Sequence, residues 1–163
     1  ILFVKLKFLS NSFLKQIGVY FFLKGLSKDQ IEVFSKSYAK QIKYNRLFHD
    51  FDFNRTDLDI YIVSASYEIY LNKIFPENVK IIGSKLSFKN GYVNKLKFNN
   101  YAESKLLSLK KNNIFKIDTL FTDSISDLAL VKISEKIVVV YKDSLIEFKD
   151  SNNFKDYFQK WIF

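Results

Sequence analysis

Four short runs of β-branched and aromatic residues constrain this chain most: Ile60-Tyr-Ile-Val63, Val79 to Ile82, Thr119-Leu-Phe121 and Ile137-Val-Val-Val-Tyr141. Runs of this length and composition suit strands covered on both faces. Between them the spacing turns helical. Tyr67, Leu71 and Ile74 recur at helical intervals up to Pro76, a helix is expected from near Glu103 to Asn112-Asn113, and a short one over Asp127–Lys132. Strands alternating with helices imply a three-layer α/β fold built on a parallel sheet. One antiparallel feature is expected inside it. Asn90-Gly91, between Leu86-Ser-Phe88 and Tyr92-Val93, is a hairpin turn signal, because both residues tolerate the left-handed backbone of a primed turn.

Upstream of Leu58 the pattern is helical. Leu2, Leu6, Leu9, Phe13, Ile17 and Tyr20 recur at three- and four-residue spacing, and Gly25 offers a stop. Ser27 followed by Gln30 has the form of a capping box. Beyond it Ile31, Phe34, Tyr38 and Ile42 are expected to line one face, with Lys28, Glu32, Lys36, Lys40 and Lys43 on the other. The change of period sets the one candidate domain boundary, giving a helical segment over 1–57 and an α/β segment over 58–163.

Composition then removes whole classes of function. With no cysteine there is no disulfide framework, thiolate nucleophile or zinc ribbon, and a single histidine excludes most metal-hydrolase and serine-hydrolase constellations. The formal charge is +9, unevenly spread: residues 1–49 hold nine bases against two acids, or +7, and residues 50–163 hold seventeen against fifteen, or +2. Only Arg46 and Arg55 are arginines and the lysines are scattered, so no nucleic-acid surface is expected. Residues 1–26 are strongly apolar, but Lys5, Lys7, Lys15 and Lys24 keep every run below the roughly 18–20 residues of a spanning helix. Packing against other helices is favoured over an interfacial helix with lysines toward anionic lipid. A cytoplasmic location is expected.

Ligands in open α/β sheets bind at the carboxyl ends of strands. Two strand ends here carry suitable groups. Ser64-Ala65-Ser66 follows Val63, where hydroxyls and N–H groups could hold a phosphoryl group, or where a serine could cap the next helix. Asp123 and Asp127 follow Phe121, four residues apart, and could grip a hard cation such as Mg²⁺, or could serve local capping with Ser124. Lys105, just inside a helix, could supply a fixed positive charge.

The ordered set resembles the haloacid dehalogenase superfamily, in its phosphoserine-phosphatase-like branch (subfamily IB) with a helical cap. Ile60-Tyr-Ile-Val-Ser-Ala-Ser-Tyr-Glu68 is similar to that branch's second motif, Asn100-Tyr-Ala-Glu-Ser-Lys105 to its third, and Thr122-Asp-Ser-Ile-Ser-Asp127 to its fourth. Gly83-Ser-Lys-Leu86 and the Asn90-Gly91 hairpin also fall where relatives place similar residues, and the similarity covers most of residues 9–142. The resemblance implies a Rossmann-like core under a cap formed by 1–57. It implies a Mg²⁺-dependent phosphatase acting on a small phosphorylated substrate through an aspartyl-phosphate. Ser64 and Ala65 would bind the phosphoryl group, Ser64 and Lys105 would act in catalysis, and Asp123 and Asp127 would serve the metal, Asp127 alternatively orienting Lys105.

The nucleophile motif, D-x-D-x-T at the end of a first strand, should precede the cap and is expected upstream of Ile1. Asp50-Phe-Asp52-Phe-Asn54 has the D-x-D spacing but follows no hydrophobic strand and stands after the cap. In the family the missing strand lies between Ile60–Val63 and Thr119–Phe121, and without it those strands would face a gap of about 9–10 Å. The expectation is therefore a fragment of a longer enzyme. The alternatives are a pseudophosphatase or binding module without the nucleophile, and a membrane-proximal phosphatase acting on a lipid phosphate.

Overall fold

In a computed structural model, residues 10–159 are described. The proposed helical positions Leu2, Leu6 and Leu9 lie outside them. The chain divides into two compact units, one of residues 1–43 with 52–101 and the other of 44–51 with 102–163. This division does not follow the expected boundary at 57: the N-terminal helices group with the first two strand runs. The coarse class is as expected, a mixed α/β protein.

In the first unit, α1 (Asn11–Gly18) is capped by Ser10, whose hydroxyl accepts the Phe13 N–H at 3.1 Å. It continues as a π-helical turn over Val19–Leu23, closed by the Lys24 N–H on the Val19 carbonyl at 2.8 Å. Gly25, at φ +86°, ends it. The capping box then forms as expected: Ser27 accepts from Gln30 N–H, and Gln30 Oε1 accepts from Ser27 N–H, opening α2 (Lys28–Gln41).

The buried face of α2 is Ile31, Ser35 and Ala39, not the expected Phe34 and Tyr38, which are 54% and 53% exposed. Both stripes obey helical spacing. The smaller side chains at 35 and 39 form the close-packed one, while Tyr38 takes an edge-to-face contact with Tyr70.

β1 (Tyr61–Tyr67) runs parallel to β2 (Lys80–Lys89), with α4 (Glu68–Leu71) between them in sequence, and β2 pairs antiparallel with β3 (Tyr92–Phe98). The Asn90-Gly91 turn holds φ values of +51° and +83°, as a primed hairpin requires. Val19, Ile31 and Val93 form the core of this unit, with Leu23, Leu26, Tyr67, Leu86 and Phe88 packed around them.

The second unit holds α3 (Arg46–Asp50), α5 (Glu103–Lys111), β4 (Ile117–Thr122), a 3₁₀ turn at Ile125–Asp127, α6 (Leu128–Val131), β5 (Ser134–Tyr141), β6 (Ser144–Phe148) and α7 (Ser151–Gln159). β5 is the central strand, parallel to β4 and antiparallel to β6. Its Ile137, Val138 and Val139 are buried with Leu109, Leu130 and Phe154.

Among the described residues each sheet therefore has three strands and mixes one parallel with one antiparallel pair. β1 and β4 are both edge strands among the described residues. Although its sequence suits full cover, β1 is only half-buried along its whole length, and Phe121 on β4 is 52% exposed.

Candidate functional site

The groups expected to act together fall into two constellations, one in each unit. In the second unit, β4 delivers Thr122 and Asp123, the 3₁₀ turn delivers Asp127, and the first turn of α5 delivers Lys105. Lys105 Nζ lies 2.5 Å from Asp127 Oδ1, and both residues are buried. Thr122 Oγ1 donates to the second oxygen, Asp127 Oδ2, at 2.8 Å. Asp127 thus does not complete a capping box with Ser124. Ser124 instead accepts the Ser126 N–H at 3.2 Å, and the Asp127 carboxylate turns inward. Leaving that carboxylate buried without Lys105 would be costly, which fixes the two together.

Asp123 behaves differently. It is exposed, and its carboxylate has no hydrogen bond or ion pair among the described residues. Mg²⁺ commonly keeps several waters and takes one or two protein carboxylates plus substrate oxygens. Asp123 fits that role, whereas Asp127 already has a partner on each oxygen. No group of three or more His, Cys, Asp or Glu side chains able to hold a metal occurs among the described residues.

A backbone feature introduces this constellation. Ala102, the residue before α5, sits at φ +49° and ψ −123°, a region L-residues rarely enter. Strain of this kind concentrates where a structure aims particular side chains.

In the first unit, the strand does not stop at Ser64. Ser64-Ala65-Ser66 lies within β1, at a register irregularity between Val63 and Tyr67. The following helix is a single turn with Glu68 at its start and no side-chain cap, so neither serine caps it and it offers no anion seat at its N-terminus. Glu68 Oε1 instead accepts the Gly83 N–H at 3.0 Å. Ser64 Oγ accepts the Ser66 N–H at 3.1 Å, and its own proton has no acceptor among the described residues.

Four residues given no role from the sequence surround this segment, Ser84 and Asn100 from stretches that carry the resemblance and Lys15 and Asn99 from outside them. Ser84 Oγ donates to the Ala65 carbonyl at 2.6 Å and accepts the Asn100 N–H at 3.0 Å. Asn100, fully buried, spans the strands, donating through Nδ2 to Ile82 O at 2.7 Å and Ser64 O at 3.2 Å. Lys15, from α1, reaches the Ala65 carbonyl, Ser84 Oγ at 2.8 Å and Asn99 Oδ1 at 3.2 Å, with its ammonium 4.6 Å from the centre of the Tyr67 ring. Asn99 returns to α1 through Asn11 Oδ1 at 3.0 Å and Ser12 Oγ at 2.9 Å.

Burial pushes the Lys15 ammonium down to about 8 despite these acceptors. Lys15 points into the unit rather than to solvent. In a chain where 24 of 163 residues are lysine, nothing in the sequence distinguishes this one.

The remaining D-x-D begins on the last residue of helix α3 rather than at the end of a strand. Asp50 pairs with Arg46 on α3 at 3.2 Å, and Asp52 accepts the Asn54 N–H at 2.9 Å, both at exposed positions. A groove lined by Glu147, Phe148, Asn153 and Tyr157 lies on the β6–α7 face and contains none of the motif residues.

No model of a known protein family matches the chain, and no curated protein matches it.

Proposed function

We propose that this chain belongs to a Mg²⁺-dependent phosphomonoester hydrolase of the haloacid dehalogenase kind, working in the cytoplasm on a small phosphorylated substrate. The nucleophilic aspartate would come from chain outside this sequence. The observation that carries the reading is the immobilised Lys105: a buried ammonium held by Asp127, itself held by Thr122, in the same loop as an unengaged Asp123 carboxylate. Phosphoryl transfer chiefly needs fixed positive charge and donors aimed at the phosphoryl oxygens.

In this reading a carboxylate oxygen bonds to phosphorus as the ester oxygen leaves and takes up a proton, and water then releases inorganic phosphate. Lys105 balances charge on the phosphoryl oxygens through its fixed ammonium. Asp127 orients Lys105. Asp123 would hold the Mg²⁺, which supplies further neutralisation when bound. A further parallel strand would suit the open edge and half-covered face of β1 in the first unit, and likewise those of β4 in the second. Unpaired strand edges invite a further strand.

The test is to express the protein with its upstream coding sequence and follow phosphate release from monoesters with and without Mg²⁺. Activity that requires Mg²⁺ and falls at least a hundredfold in Asp123→Asn, an order of magnitude typical for loss of one charge-stabilising group, supports the assignment. Unchanged activity in Asp123→Asn removes the metal role. Phosphate binding without turnover in that longer protein would make it a binding module instead.

A further inference from the structure

We infer that the Tyr20–Phe21–Phe22 ridge of the first unit docks on an anionic membrane surface. The three side chains are 56%, 71% and 79% exposed, the last two being the most exposed large apolar side chains among the described residues. Isolated exposed apolar residues are ordinary, but three consecutive aromatics turned to water are not.

The backbone explains how they come to be there. Val19 is buried and Leu23 packs on the core, so both ends of the turn face inward. Its closing bond runs from Lys24 N–H to Val19 O, five residues apart, which makes the turn wider than an α-helical one. The extra width swings Phe22 away from the face that Val19 buries, leaving residues 20–22 together on the outside. An α-helical turn would bring Phe22 closer to that buried face.

The chemistry around the ridge selects the partner. Lys24 lies with its ammonium 4.4 Å from the centre of the Tyr20 ring, and Lys28 and Lys89 are exposed on the adjoining segments. Gly25 N–H bonds to Val93 O and Lys28 N–H to Gly91 O, which brings the β2–β3 hairpin against this segment. From Ser10 to Ile31 the only acid is Asp29. Aromatic side chains beside Lys24, with Lys28 and Lys89 on the adjoining segments, match the boundary between acyl chains and anionic headgroups: the rings enter the apolar layer and the flexible lysine stems keep their charges at the headgroups. No helix among the described residues is long and apolar enough to cross a membrane, so the contact is one of surface docking.

The test is co-sedimentation of the full chain with phosphatidylcholine vesicles that contain or lack phosphatidylserine. Binding to the phosphatidylserine vesicles is expected, weakening as salt is raised. Phe21→Ser with Phe22→Ser should weaken it about a hundredfold, the scale of losing two buried aromatic side chains, and Lys24→Glu with Lys28→Glu should also weaken it. Because all four positions are exposed, the variants should keep the wild-type circular dichroism and melting temperature. Failure of the wild-type chain to bind at low salt overturns the inference, as does undiminished binding by the phenylalanine double variant. A wild-type dimer that this variant converts to monomer, with vesicle binding unchanged, would assign the ridge to self-association. None of these readouts depends on phosphatase activity.

Discussion

Lys105 Nζ and Asp127 Oδ1 stand 2.5 Å apart, with each side chain only 9% exposed and the second carboxylate oxygen taken by Thr122. Removing one member leaves the other charge buried and uncompensated. Asp127→Ala and Lys105→Ala should each lower the unfolding free energy by about 3–5 kcal/mol in urea titrations. Lys105→Met combined with Asp127→Leu should recover most of that loss, since an apolar pair of similar volume leaves no orphan charge. A double variant as unstable as the single ones would show that the pair does more than neutralise itself.

Ala102 holds φ +49° with ψ −123°, and glycine accepts that conformation without a Cβ clash. Ala102→Gly should therefore leave stability unchanged or raise it, by up to about 1 kcal/mol, once the greater freedom of the unfolded chain is offset. A clear drop in melting temperature would refute strain at this position.

Gly83 is required for the opposite reason, close approach rather than φ. A Cβ there would stand 2.7 Å from the Ser66 carbonyl oxygen and 2.9 Å from Glu68 Cγ. Gly83→Ala should destabilise the protein by about 1–3 kcal/mol, the range for overpacked interiors. Amide hydrogen exchange should quicken in 64–68 first, because the backbone of that segment must move.

Lys15 gives a pH signature. Its folded-state value is about 8, against 10.5 for an ordinary lysine, so between those values the unfolded chain binds the extra proton. Stability rises with pH wherever the unfolded state holds more protons. Urea midpoints should therefore climb between about pH 8 and 9.5, below the range where tyrosines begin to ionise. Lys15→Met should flatten the slope. A midpoint that falls over this interval in the wild type, or an unaltered slope in the variant, would contradict the burial of this ammonium.

Features set by local backbone chemistry were legible in the sequence. The Asn90-Gly91 turn, the Ser27/Gln30 capping box and the span of α5 each follow from a few adjacent residues. Features set by competition between equivalent patterns were not. The stripe through Phe34 and Tyr38 and the stripe through Ser35 and Ala39 fit the same helix equally well, and only the packing partner decides. The β5–β6 hairpin turns through Lys142 at φ +53°, a conformation that lysine does not advertise, so β6 carried no signal. At the candidate site, residue types and order pointed to Ser64, Lys105, Asp123 and Asp127. The inward turn of Asp127 and the reach of Lys15 to Ala65 depend on contacts across 22 and 50 residues, which spacing cannot reveal.

The segment 44–51 groups with the second unit, while the chain on both sides of it groups with the first. Within the second unit, Asn45 Nδ2 donates to Lys142 O at 3.5 Å, and the Arg46 N–H donates to Asp143 Oδ1 at 3.3 Å, so this excursion secures the tip of the β5–β6 hairpin. No single cut of the polypeptide can therefore release both units whole: a fragment starting at Ala102 abandons its own helix α3, and one ending at Tyr101 carries that helix without its companions. Dissection by gene truncation is thus the wrong tool for this molecule. A circular permutant or a split that keeps 44–51 attached is the form in which the second unit can be studied alone.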